Sequence, residues 1–416
     1  MINKIKQKIY KFLHQSEKYT KTDMVYLAKG GFWLTSGQAI SSIASFLLAI
    51  AFANLLPKET YGEYKYILSI AALLSIPTLK GMETALVQAV ARGYEGSIIP
   101  ALKTKIKWGT FGALAGLILA GYYFHQDNIT LTITFLIASV FTPLMDTLNT
   151  YEAFFYGKKL FKESTQFNIA VKILATAAML TTILFTNNIF LIIFTYFVSY
   201  TILRLFVLLL VIAKHKFNPL QHPQTLSYGK HLSLVGVLDT IADQLDKLLL
   251  WHFLGAVPLA VYSFATAPPI EIRKIFKNIV PLAFPKIAQR EVKEIKKTLP
   301  AKMLKFFIVL IPLVLIYILL APYIYKLFFP QYIESVFYSQ IFILVLLFQP
   351  STLINTTFAA YAHKKKIYIL SITTSIIRIS LFLILLPFYG ILGAIFAILC
   401  TRFISFFMLL FLFKRL

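Results

Sequence analysis

The sequence predicts an all-α polytopic membrane protein of about twelve transmembrane helices, arranged as two six-helix lobes related by a parallel repeat. Composition is the first reason: of 416 residues, 58% are hydrophobic and 14% charged, and the mean hydropathy is +0.74, a balance suited to a bilayer rather than to water. Spacing is the second. Roughly 20 apolar residues cross a ~30 Å hydrocarbon core as a helix that satisfies its own backbone hydrogen bonds. Twelve such stretches fall near 31–56, 61–91, 108–124, 129–156, 165–186, 189–213, 232–254, 259–285, 304–321, 333–362, 367–386 and 391–413. The third reason is the charge between them. With the N-terminus inside, 29 of the 41 Lys and Arg fall in 1–29, 92–107, 158–162, 214–230, 286–305, 364–366 and 414–415. Lys58, Lys65 and Lys326 alone fall on the opposite face, and nine cations lie within spans. Short cytoplasmic loops are enriched in Lys and Arg, so a multi-pass protein of the cytoplasmic membrane with both termini inside is expected.

Residues 1–28 form an arm in which Ile2, Ile5, Ile9, Phe12 and Leu13 recur at helical spacing opposite Lys4, Lys8 and Lys11, the pattern of a helix lying on a membrane surface. The first span opens near Gly31 at full spanning length, unlike the short apolar region of a cleaved signal. In the second, Pro77 and Gly81 weaken the helix beside Lys80 and Glu83, charges that either pair at i, i+3 or open toward a cavity. Gly112 and Gly116 in the third are helix-contact residues, with no Walker lysine or Rossmann strand beside them. The fourth span holds Asp146 near Pro143, the fifth Lys172 and the sixth Arg204. Residues 214–231, with Pro219, His222, Pro223 and Gln224, read as a linker. Asp239, Asp243 and Asp246 share one stripe of the seventh span, with Lys247 one turn after Asp243. The eighth has Pro268-Pro269 and then Glu271, Arg273, Lys274 and Lys277, so a broken helix presenting these cations together is expected. Arg378 and Arg402 lie in the eleventh and twelfth. The single cysteine, Cys400, excludes an intrachain disulfide and a cysteine metal site.

The chain repeats itself. At an offset of 198, Gly31, Leu56, Tyr64 and Arg92 match Gly229, Leu254, Tyr262 and Arg290; at 206, Leu148-Asn149-Thr150 meets Ile354-Asn355-Thr356 and Lys158-Lys159 meets Lys364-Lys365. The expected organisation is therefore an arm over 1–28, a first lobe of six helices over 29–213, a linker over 214–231 and a second lobe over 232–416. Six being even, both lobes enter the membrane in the same direction.

Several loose motifs recur in order along the chain. They are Gly31-Phe32-Trp33-Leu34 with Gly37-Gln38, Leu56-Pro57-Lys58-Glu59-Thr60-Tyr61-Gly62-Glu63-Tyr64, Gly81-Met82-Glu83-Thr84-Ala85 through Ala91-Arg92, Asp246-Lys247-Leu248-Leu249-Leu250, Leu254-Gly255 and Val261-Tyr262-Ser263. In these the sequence resembles the Wzx-type oligosaccharide flippases of polysaccharide biosynthesis, within the multidrug/oligosaccharidyl-lipid/polysaccharide (MOP) exporter superfamily. The resemblance implies a two-lobed bundle that moves undecaprenyl-pyrophosphate-linked oligosaccharide from the inner to the outer leaflet by alternating access. Membrane lipids and the polysaccharide assembly machinery are its implied partners. One departure is Ala260, which stands where the first half has Gly62.

Ionised groups facing lipid are costly, so those within spans turn inward, pair or snorkel. Lys80, Lys172, Arg204, Lys247, Arg273, Lys274, Lys277, Arg378 and Arg402 are the expected lining for an anionic pyrophosphate and its glycan. Glu83, Asp146, Asp239, Asp243, Asp246 and Glu271 are the expected ion-coupling groups. Close carboxylates on the seventh span would favour proton uptake, with structural pairing to Lys247 as the alternative. No resident cofactor or metal is expected beyond a coupling H+ or Na+, nor is a nucleic-acid partner, because the net +24 charge is mostly orientation. Three other classes compete. A multidrug antiporter of the same superfamily would carry cations, poorly matched to a cationic interior. A lipid II flippase would share anionic cargo but usually has two extra helices. A membrane oligosaccharide polymerase would need a catalytic outer domain, and the outer loops here are short.

Overall fold

The computed structural model describes residues 24–277, 292–361 and 364–415. The arm over 1–23, the basic residues 286–290 and the end of the eighth span lie outside the described residues. Among the described residues all regular structure is helical. It runs α1 (Met24–Leu55), α2 (Lys58–Leu74), α3 (Gly81–Ala91), α4 (Ile98–His125), α5 (Ile129–Leu148), α6 (Tyr151–Gly157), α7 (Phe161–Phe185), α8 (Ile189–His215), α9 (Thr225–Val235), α10 (Val237–Leu254), α11 (Ala256–Lys277), α12 (Val292–Phe328), α13 (Ser335–Phe342), α14 (Thr352–Ala360) and α15 (Lys364–Lys414).

These trace the twelve predicted passages. The second is α2 and α3, bent by 42° where Pro77 and the left-handed Leu79 (φ 59°) interrupt the helix, as the sequence around Pro77 and Gly81 predicts. The tenth is α13 and α14 joined by a 3-10 stretch over 343–351. The last two are one continuous assignment turned at Gly390, whose φ of 54° and ψ of −131° suit glycine alone. Seven segments, or eight with the bent pair, are long and apolar enough to cross a membrane by composition. The α4, α9–α10 and α11 passages fall short because they carry charges or many small and tyrosine residues. Prolines 268 and 269 correct one expectation. Helix α11 runs through both, and the Phe264 carbonyl that Pro268 cannot bond accepts from the Tyr325 hydroxyl at 2.8 Å.

Helices up to α8 pack chiefly on one another, as do those from α10 on, and corresponding pairs recur: α1 lies on α7, and α10 on α15. The two groups meet along the second passage. At the cation-poor end a Cβ on Gly62 would lie 2.0 Å from the Ala256 carbonyl oxygen, and at the cation-rich end a Cβ on Gly81 would lie 2.4 Å from the Ser233 nitrogen. Only glycine allows approaches this close. Near Gly62, Tyr66 stacks on Trp251 at 4.3 Å, and Lys58 pairs with Glu334 at 2.5 Å. Near Gly81, the linker is strapped to the turn after α3. Asn218 donates its backbone N–H to Glu95 and its side-chain amide to the Gly93 carbonyl, at 3.2 and 2.8 Å. The His222 N–H donates to Ser97 at 3.0 Å. Glu95 also pairs with Lys158. Burial opposes ionisation of Glu95, but the Lys158 and Asn218 bonds outweigh it and hold the carboxyl below its ordinary value.

Candidate functional site

Between these two contacts lies a cavity of about 630 Å³. Its walls come from α1 (Ser42, Phe46, Phe52), α2 (Tyr61, Tyr64, Lys65), α7 (Lys172), α11 (Phe264, Pro268, Glu271) and α12 (Tyr317, Phe328). Most of the surface is apolar, and the charge is gathered in one place. Glu271 accepts from Lys274 at 2.5 Å and from the Ser42 hydroxyl at 2.9 Å, so one carboxylate ties α1 to α11. Lys65 and Lys172 share the electrostatic field of Lys274 and Glu271. Lys172 reaches the Tyr200 hydroxyl at 3.4 Å, and Lys65 lies 5.2 Å above the Tyr61 ring. Among the described residues neither meets a carboxylate within salt-bridge distance. Lys65 and Lys172 thus share with the Glu271–Lys274 pair a space lined by aromatic rings, a geometry that attracts a multivalent anion attached to something apolar or ring-shaped.

Lys65 corrects the cation count. It lies seven residues into a passage that begins at Lys58, about 10 Å from the helix start at 1.5 Å per residue, and belongs to the cavity rather than to the opposite face. Lys105 is the second correction. Helix α4 starts at Ile98 rather than near 108, so Lys105 is helical, and its side chain is wholly buried against Glu83 at 3.3 Å and the Asp146 carbonyl at 3.4 Å. Glu83 therefore pairs with Lys105 and not with Lys80.

The remaining predicted residues divide between two smaller polar pockets. In the first half of the chain, Lys80 and Asp146 line a pocket of about 170 Å³; Asp146 accepts from the Thr78 hydroxyl, and Arg204 donates to the Met145 carbonyl at 2.8 Å. In the second half, Asp239, Asp243, Arg378 and Arg402 line one of about 250 Å³. There Asp243 pairs with Arg378 at 2.7 Å. Asp239 accepts from Ser371 and Ser375 at 2.7 and 3.1 Å, and Asp246 is buried under the Tyr262 hydroxyl at 2.6 Å. The stripe of aspartates thus turns toward three different partners. Lys247 bonds Gln244 at 2.9 Å rather than Asp243. Arg273 lies in the field of Asp243 and Arg378, so α11 sends Arg273 and Lys274 to different sites. The side chain of Lys277 lies outside the described residues. Arg273, Arg204 and Lys80 accordingly do not share one site in this structure.

Comparison with solved structures returns the same architecture repeatedly. The lipid II flippase MurJ in an inward closed conformation superposes with a TM-score of 0.71 at 17% identity, covering 92% of this chain and 87% of that one. A MATE transporter in complex with MaD5 gives 0.63 at 12% identity, with 94% and 95% covered. A MOP superfamily transporter from Pyrococcus furiosus gives 0.61 at 13% identity, with 93% and 96% covered. At these identities the likeness establishes the fold. No curated protein matches the chain in sequence. Residues 27–289, more than half of the chain, do match one family; they include Tyr61, Tyr64, Lys65, Lys172 and Glu271 of the cavity wall, and the match places this multi-pass chain in the polysaccharide biosynthesis protein family.

Proposed function

We propose that this chain is a Wzx-type flippase that carries undecaprenyl-pyrophosphate-linked oligosaccharide across the cytoplasmic membrane by alternating access. The observation that carries the reading is the cavity between the two halves, which Lys65 and Lys172 line together with Glu271, itself paired with Lys274. Its volume of about 630 Å³ suits a diphosphate and the first sugar rather than a whole glycan. Ile43 and Phe46 of α1 are exposed on the cavity rim, so the lipid tail can remain in the bilayer. The second passage, with glycine contacts at both ends and a bend between them, is the boundary along which the halves rock. We assign ion coupling to Asp239 and Asp146, whose carboxylates accept from hydroxyls and have no cation within salt-bridge distance among the described residues. The cationic cavity favours anionic cargo over the cations of a drug antiporter.

Reconstituted protein provides the test. Wild type should equilibrate a polyprenyl-diphospho-oligosaccharide across proteoliposomes, read by lectin access. The Lys65→Gln, Lys172→Gln double variant should fall to the protein-free leak rate, and Lys107→Gln, an exposed position, should not. Wild-type rates in the double variant would refute the reading.

A further inference from the structure

The cavity's charge is specific in amount as well as in sign. Lys65, Lys172 and Glu271 line the cavity and Lys274 is paired with Glu271 at 2.5 Å, so these four groups together carry three positive charges and one negative, a net of +2. Glu271 is not a passive wall residue. Both of its oxygens are held, one by Lys274 at 2.5 Å and the other by Ser42 at 2.9 Å. Gln38 donates to the same Ser42 hydroxyl at 3.2 Å. A carboxylate held by an ammonium and an oriented hydroxyl stays in place.

The two forms of a diphosphate carrier lipid differ in charge. When the terminal phosphate is esterified to a sugar, each phosphate bears one negative charge, for a total of −2. When the sugar is absent, the terminal phosphate is a monoester that loses a further proton near pH 6, and the lipid carries about −3 at pH 7.5. A site of net +2 is neutralised by the glycosylated diester and left negative by the bare monoester. Uncompensated charge is unfavourable in a partly desolvated cavity.

Resting on the flippase reading, we propose that Glu271 is the selectivity residue of this cavity: it tunes the site to the sugar-loaded diphosphate diester and against the unloaded diphosphate. Removing the carboxylate raises the site to +3 and matches the wrong lipid. The extra charge on the monoester, acting across several ångströms at an effective dielectric constant of about 20 to 40, changes relative affinity about tenfold. Selection then occurs at the phosphates, whatever the glycan.

The test uses the full-length protein in detergent at pH 7.5 and two soluble probes, farnesyl diphosphate and a farnesyl-diphospho-sugar, with affinities measured calorimetrically. Wild type should prefer the diester. Glu271→Gln should strengthen the monoester about tenfold more than the diester, and Lys274→Gln should do the opposite, weakening the monoester more. Opposite shifts from two variants that break the same ion pair cannot come from general loss of structure. Equal factors on both probes, or no change from either variant, would overturn the selectivity role while leaving the cargo reading intact. Wild type that binds neither probe would overturn both.

Discussion

Gly62→Ala puts a methyl group where the structure has no room. A Cβ there would lie 2.0 Å from the Ala256 carbonyl oxygen and 2.5 Å from its carbon, against 3.4 Å for ordinary contact. Both obstructing atoms are backbone, so no rotamer relieves the overlap. Helices α2 and α11 must separate by more than an ångström at the cation-poor end. Overpacking of this kind costs about 1–3 kcal/mol, and the cost falls only on the conformation that closes this end. Taking about 2 kcal/mol, the ratio of open to closed forms rises about 30-fold. Spin labels at Gln126 and Ile333, in a background where the exposed Cys400 is replaced by Ser, report the distance between the halves at that end. Gly62→Ala should lengthen the principal distance and slow flipping. Gly121→Ala, where an added Cβ meets nothing within 4 Å, should do neither. An unchanged distance distribution in Gly62→Ala would mean that α2 and α11 are not a closing contact.

Two further outcomes are expected away from the cavity. Lys105→Met strands Glu83, and because Glu83 is 33% exposed the loss should be about 1–3 kcal/mol rather than that of a fully buried pair. Adding Glu83→Gln should recover most of the lost thermal stability in detergent, and a double variant no better than the single would dismiss the pair. The linker strap should respond to acid. Glu95 titrates below its ordinary 4.5, so its contribution is fully present above that value and is lost as pH falls through the lowered one. A fluorophore at the exposed Leu220 should therefore gain mobility as the pH is taken down below 4.5, whereas Glu95→Gln should be mobile at pH 6 and insensitive to further acid.

The passages were legible in the sequence because span length, proline position and loop charge are local properties. Pro77 and Gly81 announced the bend in the second passage, and Pro268 announced a freed carbonyl. What it could not announce is that Tyr325, some 60 residues on, would occupy that carbonyl and keep α11 continuous. Lys105 was misplaced because hydropathy places a helix end where apolar residues stop, whereas α4 already begins at Ile98. Lys65 falls inside the second predicted span, 61–91, and its charged neighbours Lys58, Glu59 and Glu63 set it with the outer loop. A lysine with an aromatic residue one turn before it on the same face, as Tyr61 stands to Lys65, was the available signal. The pairing of Asp243 with Arg378 across 135 residues left no trace in a single sequence.

That pairing separates two populations of buried charge that are indistinguishable when residues are only counted. In the small pockets the contacts are fixed within one half of the chain: Arg378 on Asp243, Arg204 on a carbonyl, Lys105 on Glu83. Such groups move together when one half rotates and contribute nothing to the difference between two conformations. The central cavity behaves differently, because Lys65 and Lys172 belong to one half and Glu271 and Lys274 to the other, joined through Ser42. Rotation changes the distances among these groups, as it does between Lys58 and Glu334 at the cation-poor end. An anion that binds them therefore interacts differently with the two conformations, which is the condition for a ligand to drive a conformational change at all. On the flippase reading, the cations that matter are in consequence those whose partners lie across the boundary between the halves, and the second passage, which supplies Lys65 as well as both glycine contacts, is the element on which binding and rocking would meet.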